Sequence, residues 1–313
     1  MPQRVGVVGC GRWGLKHLRA LEKVAEEAGI KCIVACDVHP AAFTRIVSDR
    51  ILLHHDPHTL VEQFNLDSVI VATPNETHYE LGTMFLNKGV DVFLEKPIAT
   101  TLDHASSLVS TSVHVGKTLK SGFLLRFHPC IIDARTKIRA GKIGAIQSIR
   151  YSKNVQRQGD DAAHALDTLA IHGIDLIEFL LDGQTPLRIS EVVGCRRSCA
   201  LTLEYPDQVE ISIDVGWEAV ADVAELEVIG RNGRILVKLQ EHERYEILDD
   251  EVTIKSVEPN HTPLEAVLLD FLKCDSTSFA ASTGSILRTI KCVEQARLQL
   301  TAQRRSKTRE LKR

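Results

Sequence analysis

The sequence has no apolar run approaching the ~20 residues that a membrane-spanning helix needs, so an integral membrane protein is not expected. It has no charge excess of either sign. The 41 acidic and 38 basic residues leave a net charge of −3, which argues against nucleic acid as the main partner, because phosphate binding requires a basic surface. The N-terminus runs directly into "RVGVVGCGRWG" without the layout of a signal peptide. No internal repeat and no low-complexity linker is present. Eight cysteines among 313 residues do not form a disulfide framework; most lie in apolar runs such as "KCIVAC", as small buried thiols in a reducing, cytoplasmic setting do. Cys195 and Cys199 stand four apart but lack the second pair or histidine cluster that zinc needs. "HHDPH" (residues 54–58) reads as an exposed turn around Asp56-Pro57 and not as a metal site. No metal is expected. The basic end, "AQRRSKTRELKR", reads as a solvated helix terminus.

What is present is a 44% hydrophobic, 25% charged globular composition, long enough for about two domains of roughly 100–200 residues. The first part alternates short apolar strands with helical runs: "RVGVVG", then "LKHLRALEKVAEEAG" with Leu15, Leu18, Leu21 and Val24 on one face, then "KCIVACD", "DSVIVATP", "THYELGTMFLNKG" and "DVFLEKP". This grammar predicts a doubly wound parallel sheet of right-handed crossovers. Near residue 121 it changes. A long helix over "AAHALDTLAIHGIDLIEFLLDG" is followed by mostly strands between 187 and 257, with Asn232-Gly233 as a hairpin turn. Two helices close the chain, beginning near Pro263 and Ser285. The fold class is therefore α/β, with a Rossmann domain over 1–121 and an α+β domain over 122–313 that carries a mostly antiparallel sheet.

Gly9, Gly11 and Gly14 form G-x-G-x-x-G after a strand and at the start of a helix, and Asp37 closes the next strand 23 residues after Gly14. That context makes the motif a dinucleotide fingerprint. Gly9 permits the turn, Gly11 lets the backbone approach the pyrophosphate, and Gly14 lets the helix pack closely. Arg12 and Trp13 lie within the same loop. Asp37 is placed to accept the adenosine ribose hydroxyls and to repel a 2′-phosphate, and no arginine follows it, so NAD is favoured over NADP.

Ligands of open parallel sheets lie beyond the carboxyl ends of the strands. Thr73, Pro74, Asn75 and His78 therefore border the nicotinamide side, with Glu95 and Lys96 at the next strand end. Pro97 keeps Lys96 out of the helical region, and Glu95 is able to hold its ammonium by a charge-assisted bond. The bland alternative is a structural ion pair. Further on, His164, Thr168, His172 and Asp175 recur at i, i+4, i+8 and i+11 on one helical face. A polar stripe with two histidines suits a cleft wall, and His172 suits proton exchange near neutrality. Arg126, Lys153 and Arg157 are candidates to meet a carboxylate or phosphate, and "NVQRQGDDAA" reads as a loop of the substrate wall.

"GCGRWG", "VATPNETH", "FLEKPIATT", "RFHP", "GKIG" and "HGID" occur in the order and spacing of the Gfo/Idh/MocA oxidoreductases, which the chain resembles over nearly its whole length. The resemblance implies a Rossmann domain followed by an α+β domain, whose large open sheet makes homodimers or homotetramers. It implies hydride transfer between nicotinamide and a secondary alcohol carbon of a sugar, polyol, sugar acid or nucleotide sugar. Lys96 then contacts the reacting oxygen, His172 is the acid/base, and Asp175 binds a neighbouring hydroxyl. One departure stands out: many inositol-dehydrogenase-like members carry an aspartate four residues before the histidine, where this chain has Thr168, with Asp167 one step earlier. Two other readings fit the same scaffold. One is a non-catalytic NAD-binding regulator, and the other is a lyase or glycosidase that oxidises its substrate transiently with tightly held NAD.

Overall fold

The structure is a computed structural model that describes residues 3–156, 164–240, 244–248, 252–256, 259–273 and 282–310. The chain forms two compact units. One takes residues Met1–Phe127 and His261–Leu287, and the other takes His128–Asn260 and Arg288–Arg313.

The first unit is built on six parallel strands: β1 (Gln3–Val8), β2 (Ile30–Cys36), β3 (Ile51–His54), β4 (Ser68–Val71), β5 (Asp91–Leu94) and β6 (Leu119–Ser121). Their order is β3-β2-β1-β4-β5-β6. The order reverses between β1 and β4, and a crevice opens there beyond the strand ends. "SVIV" of β4 is buried at every position, as a parallel strand covered on both faces must be. Helices α1 (Arg12–Val24), α2 (Leu60–Phe64), α3 (His78–Asn87) and α4 (Leu102–Val115) make the crossovers. Helix α1 buries Leu15, Leu18, Leu21 and Val24 as its 3.6-residue period requires. Thr101 caps α4, its hydroxyl accepting the His104 amide, and Gly116 ends it at φ 64°.

The second unit carries an eight-stranded sheet: β7 (Ile146–Val155), β8 (Arg188–Gly194), β9 (Ser198–Glu204), β10 (Glu210–Trp217), β11 (Val223–Gly230), β12 (Arg234–Lys238), β13 (Arg244–Leu248) and β14 (Val252–Ser256). The order is β14-β13-β12-β11-β7-β10-β9-β8. Only the β7–β10 pair is parallel; the others are antiparallel. The β11–β12 hairpin turns at Asn232-Gly233, where the Gly230 amide donates to the Gly233 carbonyl. Helices α5 (Pro129–Arg139) and α6 (Ile171–Leu180) belong to this unit. Gly173 of α6 lies against β7 so closely that a Cβ there would come within 2.4 Å of the Tyr151 ring.

The closing helices are α7 (Pro263–Lys273) and α8 (Thr283–Glu310). Val267, Leu268, Phe271 and Leu272 of α7 join the core of the first unit with Leu18, Leu21 and Phe93. Among the described residues, no helix is long and apolar enough to cross a membrane.

Candidate functional site

The three glycines of the fingerprint differ in what surrounds them. Gly9 has φ 91°, a left-handed value that favours glycine, and a Cβ there would stand 2.8 Å from the Ala72 carbonyl oxygen. Gly11 caps α1 with extended backbone and open space around its Cα. At Gly14 a Cβ would lie 1.7 Å from the Gly9 carbonyl oxygen, so helix and turn are in direct contact. The start of α1 thus presents free amides and the positive end of its dipole, with room for an anion.

Asp37 stands at the end of β2. Its Oδ2 accepts the Cys10 amide at 2.7 Å and its Oδ1 the His39 amide at 2.9 Å, which ties the carboxylate to the glycine loop. A cleft of about 850 Å³ runs past Gly9, Gly11, Arg12, Trp13 and Asp37 to Thr73 and Pro74, a size suited to a dinucleotide or a drug-sized ligand. Lys16 places its ammonium 4.4 Å from the Trp13 ring centroid. At the end of β4 the Thr73 hydroxyl donates to that of Thr77 (2.7 Å), which donates to the Pro74 carbonyl.

Asn75 and His78 are absent from the cleft lining. Asn75 opens a short 3₁₀ turn. His78 is fully buried, with Nδ1 2.8 Å from the Pro97 carbonyl and Nε2 3.0 Å from the Thr73 carbonyl. It braces the wall from behind. The "HHDPH" segment, expected to be only an exposed turn, places Pro57 and His58 along the cleft beside His39. No cluster able to hold a metal occurs among the described residues.

Glu95 follows β5 and is 6% exposed. His17 of α1 donates from Nε2 to its Oε1 at 2.8 Å, and the Lys96 amide donates to Oε2 at 3.2 Å. Burial pushes this carboxyl up, but the hydrogen bond and charge of His17, with the charge of Lys96, outweigh it, and the group stays below its ordinary value. The carboxylate lies against Gly122, where any Cβ would meet Oε2 at 2.9 Å. The Lys96–Pro97 peptide is cis and Lys96 is half-buried. Sequence reading passed over His17. Its only signal was a histidine among the apolar positions of α1.

In the second unit the polar stripe is interrupted. Leu166–Ala170 form a π-turn, and the Ile171 amide donates to the Leu166 carbonyl, before α6 continues. A π-turn takes in one extra residue, so the stripe expected on a single α-helical face changes phase there. His172 and Asp175 remain one turn apart on α6, His172 half-buried and Asp175 fully buried. Before the π-turn, the Thr168 hydroxyl donates back to the His164 carbonyl at 2.9 Å. Burial draws His164 below its usual range, and Arg304, Arg297 and Arg196 add to this against Asp167. The Asp167 carboxylate accepts from Arg297 of α8 at 2.5 Å.

Arg126 is buried in the first unit and donates to the Ser285 hydroxyl at 2.5 Å. Lys153 is half-buried on β7. Arg157, with the rest of residues 157–163, lies outside the described residues.

Residues 3–123 match the description "Oxidoreductase family, NAD-binding Rossmann fold", and residues 131–236 match "GFO/IDH/MocA C-terminal domain". An inositol 2-dehydrogenase of Saccharopolyspora erythraea is 29% identical over 185 residues, 58% of this chain and 54% of that protein; the match thus spans about half of that relative's length. A scyllo-inositol 2-dehydrogenase (NAD(+)) of Bacillus subtilis is 26% identical over 269 residues, 78% of this chain and 76% of that one. Among solved structures, a dehydrogenase from Chromobacterium violaceum superposes with a TM-score of 0.85 at 18% identity, covering 99% of both chains. A UDP-N-acetylglucosamine 3-dehydrogenase from Acidithiobacillus ferrooxidans gives 0.82 at 18%, covering 96% of this chain and 99% of that one. These structures share the fold. With both domain descriptions matched in chain order, and with a six-stranded Rossmann sheet followed by a mostly antiparallel one, the chain belongs to the Gfo/Idh/MocA oxidoreductase family.

Proposed function

We propose that the protein is a dehydrogenase that moves a hydride between NAD and a secondary alcohol carbon of a polyol or sugar-like substrate, with inositols as the first class to test. The observation that carries this reading is the end of β5. There a half-buried lysine follows a buried, ionised Glu95, one strand over from the Thr73–Pro74 wall of the dinucleotide cleft. Gly9, Gly11 and the start of α1 suit the pyrophosphate, and Asp37 suits the adenosine ribose. NAD supplies the hydride-accepting chemistry when bound. The fixed carboxylate of Asp37 disfavours a 2′-phosphate, which supports NAD over NADP.

In the oxidative direction Lys96 donates a hydrogen bond to the substrate oxygen and stabilises the negative charge that develops there. His172 accepts the hydroxyl proton as the C–O bond gains double-bond character, and Asp175 orients a neighbouring hydroxyl. Position 168 supplies a hydroxyl in place of a carboxylate, and Asp167 is paired with Arg297, so the acid–base work rests on Lys96 and His172. This same feature keeps a second reading open, a regulator that binds NAD without turnover. We also propose a homodimer or homotetramer formed through the second sheet. Alternate positions on one of its faces, including Ile229 and Leu236, are only half-buried.

The test is NADH formation across a panel of inositols, sugars, sugar acids and UDP-sugars, with Lys96→Ala alongside. The expected result is turnover on one class, lowered at least ~100-fold in the variant, the usual scale of general acid–base help. Near-normal turnover in Lys96→Ala would remove Lys96 from the mechanism.

A further inference from the structure

The residues on either side of Lys96 are each held by a fully buried histidine, and the two histidines come from different helices. His17 of α1 grips the Glu95 carboxylate at 2.8 Å. His78, the first residue of α3, reaches the Pro97 carbonyl at 2.8 Å and the Thr73 carbonyl at 3.0 Å. Neither ring lines the cleft. Each nevertheless links the cofactor wall to the lysine. His17 stands one turn beyond Gly14, on the helix whose start faces the cleft, and Thr73 is itself a lining residue.

Packing alone does not account for these rings. A buried leucine would fill similar volume without burying polar atoms. His17 Nδ1 finds no partner among the described residues, so the ring is poorly satisfied as a core residue and well satisfied only toward Glu95. His78 faces two carbonyls, which only accept, so the ring donates to the Pro97 or the Thr73 carbonyl according to its tautomer. A buried ring with a nitrogen set against each of two backbone carbonyls in fixed directions is a device for orientation.

We propose that His17 and His78 are positioning residues that clamp the chain on both sides of Lys96, through Glu95 and Pro97, and so hold its ammonium in one place relative to the dinucleotide wall. The consequence for turnover rests on the proposed role of Lys96, but the clamp itself does not.

The test reads Lys96 directly. The intact protein is treated with limiting acetic anhydride from about pH 7 to 11.5, a range that spans the ordinary lysine pKa. Acetylation of Lys96 is compared with that of the other lysines by peptide mass spectrometry. In His17→Leu and His78→Leu the Lys96 rate should change by at least about three-fold while the other lysines keep theirs, because the charge and position of Glu95 or Pro97 are released. His17→Gln retains a donor at the Nε2 position and should behave as the parent does. His17→Asn is too short to reach Glu95 and should follow His17→Leu, which keeps the test available if the leucine variants do not fold. An unchanged Lys96 rate in these variants, or a rate that shifts in step with all other lysines, would overturn the clamp.

Turnover adds a second readout. His17→Asn should lower kcat by roughly ten- to a hundred-fold, as a small misplacement of a catalytic group does, with affinity for NADH unchanged. If Lys96→Met retains turnover while the histidine variants alter its labelling, the role of Lys96 fails and the clamp stands. If Lys96 is indispensable and its labelling ignores both histidines, the clamp fails and that role stands.

Discussion

Gly11→Ala separates folding from cofactor binding. Gly11 already has φ −70° and ψ −161°, a conformation open to alanine, and nothing within 4 Å meets an added Cβ. The folded protein therefore takes the methyl group without strain. Alanine narrows the unfolded ensemble by about 0.4–1 kcal/mol but is a poorer N-cap than glycine by a similar amount, so stability should hold. The open space is where the fingerprint needs backbone to approach pyrophosphate. A methyl placed there acts as overpacking against the ligand, at roughly 1–3 kcal/mol, which is about a five- to 150-fold weaker Kd. Gly14→Ala should do the reverse. Its Cβ would stand 1.7 Å from the Gly9 carbonyl oxygen, so α1 must move off the turn, and stability should fall by at least about 1–3 kcal/mol. Thermal unfolding and NADH fluorescence titration of both variants make the comparison. A Gly11→Ala protein that binds NADH like the parent would refute the placement of the pyrophosphate, and one that unfolds early would refute the reading of open space.

Two further outcomes follow from protonation. Cys195 is exposed, and the Ser198 hydroxyl and neighbouring amides lower its pKa, whereas burial pushes Cys10, Cys36, Cys199 and Cys292 up to about 12; iodoacetamide should label Cys195 well ahead of these four, since the thiolate is the nucleophile, and faster labelling of Cys10 would contradict the burial of the glycine loop. Glu95 has a folded pKa below its ordinary value of 4.5, so its ionised carboxylate contributes stability above that pH and loses it as pH falls through the lower folded value; urea unfolding of Glu95→Gln should show a shallower loss of stability below about pH 4.5 than the parent, and parallel acid limbs would show that Glu95 carries no such linkage.

The parts of this protein legible in the sequence are those whose cause is local. Buried parallel strands read as apolar runs and their helices as 3.6-residue stripes, so β1, α1, β2, β4 and β5 are all visible. The glycine loop needs only its neighbours in the chain, and Asn232-Gly233 announces its own turn. The opening of "FLEKPIATT" is legible for the same reason, since Pro97 restricts the residue beside it. Tertiary structure decided the rest. The partner of His17 lies 78 residues away and that of Asp167 lies 130 away, and no local pattern encodes such pairings. Helix α7 is amphipathic in sequence, but only tertiary packing, against α1 and the turn at Leu124–Phe127, assigns it to the first unit. The same holds for the π-turn at Leu166–Ala170. Its residues read as ordinary helix, and the extra residue is accommodated where Gly173 seats on Tyr151 and Arg297 holds Asp167. A π-turn differs from the α-helix by one inserted residue in one turn, too small a change for a hydrophobic period to register, so the local pattern does not announce it.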